Sequence, residues 1–134
     1  MCGIFGILNY NDKLTKLNIE FKKGINRGPE FSILKKYDNL YLGFHRLAIN
    51  GLNEISNQPF EIDNIILICN GEIYNYKELA EENNIILQTN SDCEIILHLY
   101  KLYGLEYTLT LLDGVFAFII YDKINNIILS ARDP

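Results

Sequence analysis

Cys2 has the means to be a nucleophile, and its position supplies the base. If Met1 is removed, which a residue as small as Cys2 permits, one residue carries both a thiol and a free α-amine. The amine titrates near ~7.7–8 and the thiol near ~8.5, so both are poised around neutral pH. The amine can take the thiol proton directly or through a water. A second candidate pair is Asn70-Gly71. The Gly71 N–H and the Asn70 side-chain amide could converge on one point as an oxyanion hole. Arg46 lies at the end of an apolar run, where a guanidinium is costly unless it meets an anion. Asp92 opens a helical stretch, and Arg27 sits beside the tight Gly28-Pro29 turn, where it could brace a site.

Each has a structural alternative. Cys2 could be a small apolar residue near a frayed end. Asn-Gly after a strand is a strong hairpin signal. Arg46 could form a structural ion pair, and His45 reads as a satisfied core or surface histidine. Asp92 is favoured in a first helical turn by the helix dipole. Ser91 and Glu94 fit a capping box.

The elements that must hold these residues follow from periodicity. Gly3 to Ile7 reads as a short buried strand that steadies Cys2. Leu14, Leu17 and Phe21 recur at helical spacing, with Lys13, Lys16, Lys22 and Lys23 on the wet side. Phe31 to Tyr37 and Leu40 to Leu47 form a β-hairpin about Asp38-Asn39. Residues 51–61 read as a polar surface loop. Ile65 to Cys69 is a continuous apolar run, a strand buried on both faces, entering Asn70-Gly71. A helix capped by Asn75 runs to Glu82. Ile85 to Gln88 is a short strand. A helix from Ser91 turns Ile95, Leu99 and Leu102 inward and ends at Tyr103-Gly104. A helical turn spans Thr108 to Leu112, stopped at Asp113-Gly114. Val115 to Asp122 and Ile127 to Ala131 pair as a hairpin across Asn125-Asn126.

The 134 residues suit a single domain with a real core, and 49% are hydrophobic. Net charge is −5 with no basic stripe, which argues against nucleic acid as partner. The longest apolar run, Val115 to Tyr121, is too short to span a bilayer, and no signal peptide is evident. Three cysteines, Cys2, Cys69 and Cys93, argue against a disulfide framework and for a reducing, cytoplasmic setting. With His45 and His98 they show no metal-ligand spacing.

Taken together, ordered segments across the whole chain resemble the class II glutamine amidotransferase domain, in the form that opens glutamine-hydrolysing asparagine synthetases. They are Met1-Cys2-Gly3-Ile4-Phe5-Gly6, Arg27-Gly28-Pro29-Glu30, His45-Arg46-Leu47-Ala48-Ile49, Asn70-Gly71-Glu72-Ile73-Tyr74-Asn75, Ser91-Asp92-Cys93-Glu94, Leu112-Asp113-Gly114-Val115-Phe116-Ala117-Phe118 and Ala131-Arg132-Asp133-Pro134. The family usually has His where Asn26 stands.

The resemblance implies an α+β, N-terminal-nucleophile (Ntn) hydrolase fold: a four-layer αββα sandwich of two antiparallel sheets, truncated at its C-terminus, with residues 1–134 one amidotransferase domain. It implies that Cys2 attacks the side-chain amide of L-glutamine, with Asn70 and Gly71 holding the oxyanion. Arg46 would pair with the substrate's α-carboxylate by a fork lysine cannot copy. Glu72 and Asp92 would take its α-ammonium. The segment Leu47, Ala48, Ile49 and Asn50 would line the substrate. No cofactor or metal is implied for this step. ATP and Mg would belong to a synthetase domain that this chain lacks, supplied by another domain or subunit, and the chain alone should not make asparagine.

Overall fold

The computed structural model describes residues 2–48 and 53–134. Its order is β1 (Gly3–Leu8), α1 (Leu14–Lys22), β2 (Phe31–Tyr37), β3 (Leu40–Arg46), β4 (Phe60–Ile62), β5 (Ile65–Ile73), α2 (Tyr76–Glu82), α3 (Glu94–Tyr103), α4 (Leu105–Leu111), β6 (Gly114–Asp122) and β7 (Ile127–Arg132). The strands form two antiparallel sheets, β1-β3-β2 and β4-β5-β6-β7.

Strand alternation sorts the side chains into layers. Leu40 and Leu42 of β3 meet Ile66 and Ile68 of β5 and Tyr121 of β6 between the sheets. Ile65, Leu67, Cys69 and Ile73, on the other face of β5, pack with Phe116, Phe118 and Ile120 against α2, α3 and α4. This two-sided burial is why Ile65 to Cys69 reads as an unbroken apolar run. Each fully buried aliphatic side chain there contributes ~1.5–3 kcal/mol.

On the outer face of the first sheet, α1 buries Leu17 and Phe21. The Phe21 ring stacks on His45 at 4.1 Å and meets Phe5 edge-on at 5.8 Å. It lies so close because Gly43 has no side chain; a Cβ there would come within 2.5 Å of the ring. The layer order is α1, sheet, sheet, α2–α4: an α+β sandwich compatible with an Ntn-hydrolase fold.

Several elements differ from expectation. Asn70-Gly71 makes no hairpin; β5 runs straight through them to Ile73, paired with β6 all the way. The hairpin turn falls at Asp63-Asn64, both at positive φ, joining β5 to β4. β4 itself lies inside the stretch expected to be loop. Residues 85–88 form no strand. β1 is half-buried, with Gly6 and Leu8 exposed, because it is an edge strand. Leu14 and Leu102 face solvent. The Ser91–Glu94 capping box does not form. Glu94 instead turns back to accept from the N–H groups of Gln88 and Thr89, both at 2.7 Å, and from Thr89 Oγ1 at 2.6 Å. Asn75 precedes α2, but its side chain ties Leu111 O and Asp113 N instead of capping the helix.

Candidate functional site

β4 covers the edge of β5 only as far as Leu67. Beyond it, β5 has an open flank, and a cavity of about 120 Å³ lies there. Its walls include Cys2, Arg46, Leu47, Gly71, Glu72 and Asp92, so residues from four separate stretches share one space. The remainder of the lining includes Ser56, Gln58, Cys69, Ser91 and Cys93, none of which the sequence had singled out for chemistry. Ser91 and Cys93 flank Asp92 inside a marked segment and Cys69 directly precedes Asn70, whereas Ser56 and Gln58 lie in the stretch read as a loop.

Cys2 is placed by β1. The β1–β3 register sets Gly3 opposite His45, which brings Cys2 alongside the end of β3. Its Sγ lies 3.4 Å from Leu47 N and 3.5 Å from Leu47 O, so the sulfur can accept from one and donate to the other. Burial pushes the thiol above its ordinary range, and the Leu47 N–H offsets part of that. A nearby base is therefore needed to make a thiolate at neutral pH.

The chemistry at Gly71 comes from its backbone. In an antiparallel strand, alternate residues send both main-chain groups to the same side. Both main-chain groups of the residue opposite, Phe116, are taken by Asp133: its N–H by Oδ1 and its carbonyl by the Asp133 N–H, each at 2.9 Å. The Gly71 N–H and C=O therefore point to the open flank. A Cβ at Gly71 would lie 2.5 Å from Val115 O and 2.7 Å from Phe116 Cα, so only glycine fits. One step further along the same flank, the Ile73 N–H donates to Asp92 Oδ2 at 2.6 Å. This bond fixes the Asp92 carboxylate in the cavity wall, where it is 4% exposed.

Arg46 is buried, and its Nη1 donates to Asn57 Oδ1 at 2.6 Å and Asn53 O at 3.2 Å. These bonds hold the guanidinium against the cavity. Glu72 lies in its wall with an exposed side chain. Asn70 lines an adjoining hollow that also includes Cys2, so Cys2 is the wall between the two spaces. Among the described residues, Asn70 Oδ1 is buried with no hydrogen-bond partner. Ala48 is not among the cavity's lining residues, and its N–H donates to Glu30 Oε2 at 3.2 Å. Ile49 and Asn50 lie outside the described residues.

His45 has no capacity left for catalysis. Its Nε2–H donates to Phe21 O at 2.9 Å, and Nδ1 pairs with Ser32 Oγ at 2.7 Å. Arg27 is exposed and lines only the adjoining hollow. Cys93 Sγ lies 3.7 Å from Gly71 O. The neighbouring Cys69 thiol, together with burial, holds the Cys93 thiol well above the ordinary range. Among the described residues, no group of three or more His, Cys, Asp or Glu is arranged to hold a metal. No helix among them is long and apolar enough to cross a membrane.

Residues 1–134 match the glutamine amidotransferase domain family across the whole chain. The chain belongs to that family. Among similar proteins is a probable asparagine synthetase [glutamine-hydrolyzing] of Acanthamoeba polyphaga mimivirus, 44% identical over 99% of this chain and 26% of that protein. The asparagine synthetase [glutamine-hydrolyzing] of Mesocricetus auratus is 40% identical, and that of Homo sapiens 38%, each over 99% of this chain and 25% of theirs. The amidotransferase domain here thus spans about a quarter of the length of these curated relatives.

Proposed function

We propose that this amidotransferase domain hydrolyses L-glutamine to glutamate and ammonia, with Cys2 as nucleophile after removal of Met1. The observation that carries this reading is the shared cavity of Cys2, Arg46, Gly71, Glu72 and Asp92. Glutamine is a zwitterion with a neutral side-chain amide. Its site needs a cation, an anion, a nucleophile and oxyanion donors; Arg46, Glu72 with Asp92, Cys2 and the Gly71 N–H in the cavity wall are groups of those types, and Asn70 lines the adjoining hollow.

Arg46 takes the α-carboxylate, and Glu72 with Asp92 takes the α-ammonium. The Cys2 α-amine accepts the thiol proton, and Sγ attacks the amide carbon. Negative charge develops on the amide oxygen, where the Gly71 N–H and the Asn70 side chain stabilise it. Collapse breaks the C–N bond, and the amine's proton goes to the leaving nitrogen, releasing ammonia. Water then hydrolyses the thioester, giving glutamate and restoring the thiol. No step uses a cofactor or metal. The ammonia goes to an acceptor reaction on another domain or subunit, of the asparagine-forming class that the relatives' names print. The three free thiols suit a reducing, cytoplasmic setting.

The test compares glutamine hydrolysis by the Met1-processed chain with Cys2→Ala and with a Met1-retained form. We expect turnover only in the first. Equal turnover by wild type and Cys2→Ala would refute the mechanism. Equal turnover with Met1 retained would remove the α-amine from it.

A further inference from the structure

The flank of β5 that carries the Gly71 N–H has one more feature. The β4–β5 register pairs Phe60 with Leu67 and Ile62 with Ile65. Extended by two residues, it sets Gln58 opposite Cys69. A continuing ladder would give the Cys69 N–H to the main-chain carbonyl of Gln58. β4 instead begins at Phe60. The Gln58 side chain takes over that ladder position: its Oε1 accepts the Cys69 N–H at 2.5 Å. Gln58 is 5% exposed and lies in the cavity wall.

Three successive N–H groups thus point to this flank, from Cys69, Gly71 and Ile73. Gln58 holds the first and the Asp92 carboxylate holds the third. The central one, at Gly71, faces the cavity between two fixed neighbours. Asn70, the other oxyanion donor, is the residue directly after Cys69.

From this arrangement we infer that Gln58 is a positioning residue for the oxyanion donors of this site, acting through the backbone of β5 without touching substrate. A side chain does here what a longer β4 would do elsewhere. A main-chain partner at this point would bring the rest of β4 along and cover Gly71; the glutamine side chain pins the strand and leaves the Gly71 N–H open. The inference rests on the glutaminase reading, and its test includes a measurement that needs no turnover.

The variants are Gln58→Met, similar in shape but without the acceptor oxygen, and Gln58→Glu, which keeps an acceptor at the same reach. Each is made in the Met1-processed chain. For Gln58→Met we expect kcat for glutamine to fall by about 100-fold with KM within about threefold, as for a small misplacement of groups that act in the transition state. Gln58→Glu should retain more of kcat. Amide NMR on the same proteins should show the Cys69 and Gly71 resonances shifted and faster to exchange in Gln58→Met. If Gln58→Met does not fold, Gln58→Asn, which retracts the acceptor by one methylene, carries the same expectations. Unchanged kcat, or a rise in KM at constant kcat, overturns the inference; the second outcome would make Gln58 a substrate contact. If the wild type fails to hydrolyse glutamine, the functional reading falls, and the Gly71 amide decides alone: a shifted resonance supports the strand-pinning role and an unmoved one ends it.

Discussion

Arg46 joins the fold to the proposed chemistry most directly. Its guanidinium is a planar fork of several N–H donors, so it can bond Asn57 and the Asn53 carbonyl through Nη1 and still present donors in a fixed plane, and the residue lines the cavity. A lysine ammonium is a single point and cannot divide itself in that way. Arg46→Lys should therefore raise the KM for glutamine by about 10- to 100-fold. That is the scale of one lost charge-assisted hydrogen bond, ~1.5–3 kcal/mol. Steady-state kinetics with glutamine, and with an amide lacking the α-carboxylate, check it: the penalty should vanish for the second substrate. Cys2 makes the opposite point. Its burial raises the thiol's pKa, so the attacking sulfur depends on a base beside it.

At the scale of elements, the segment between α2 and α3 matters because it delivers Asp92. It has no regular structure, yet it is held firmly. Glu94, 1% exposed at the start of α3, accepts four hydrogen bonds: from Gln88 N, Thr89 N, Thr89 Oγ1 and His98 Nε2. Burial alone would raise its pKa, but the donors from His98, Thr89 and Gln88 outweigh it and hold the carboxyl below its ordinary range. The unfolded chain, with a Glu near ~4.3, therefore takes up its proton first as pH falls. The Glu94 contribution to stability is present above that value and is lost as pH drops through it toward the folded value. Glu94→Gln puts an NH₂ among donors and should cost ~1–3 kcal/mol at neutral pH. Denaturant melts of the two proteins from pH 7 to pH 3 should converge as the acid limb removes the wild type's advantage.

For the molecule as a whole, the two sheets must stay in register for the site to exist. Cys2 immediately precedes β1 and Arg46 ends β3, both on the β1-β3-β2 side, and Gly71 and Glu72 belong to β5 of the β4-β5-β6-β7 sheet. Leu42, Ile66 and Ile68, all 0% exposed, fill the layer between them. A ligand bridging both sheets binds only the folded state and so opposes their separation. Glutamine added to Cys2→Ala, which cannot turn it over, should stabilise the protein by ~2.7 kcal/mol at about 100 times its Kd. Thermal melts should rise with glutamine and stay flat with an uncharged primary amide. No shift at saturating glutamine would mean that the cavity does not take this substrate.

The sequence by itself determined most of the strands and helices, the apolar faces of β5 and β6, and which residue types stand at Cys2, Arg46, Asn70-Gly71 and Asp92. Those depend on residue type and short-range periodicity, which a linear reading contains. It could not decide between hairpin and strand at Asn70-Gly71. Pairing with β6 continues past both residues and overrides the local turn preference. Nor could it see that Glu94 would abandon its own helix for the preceding loop, or that three residues before Asp63 would pair as a strand. The site's second layer was least legible. Gln58 and Cys69 are eleven residues apart and meet only because β4 turns back on β5. Such a bond belongs to the register between strands, and only the tertiary structure sets that register.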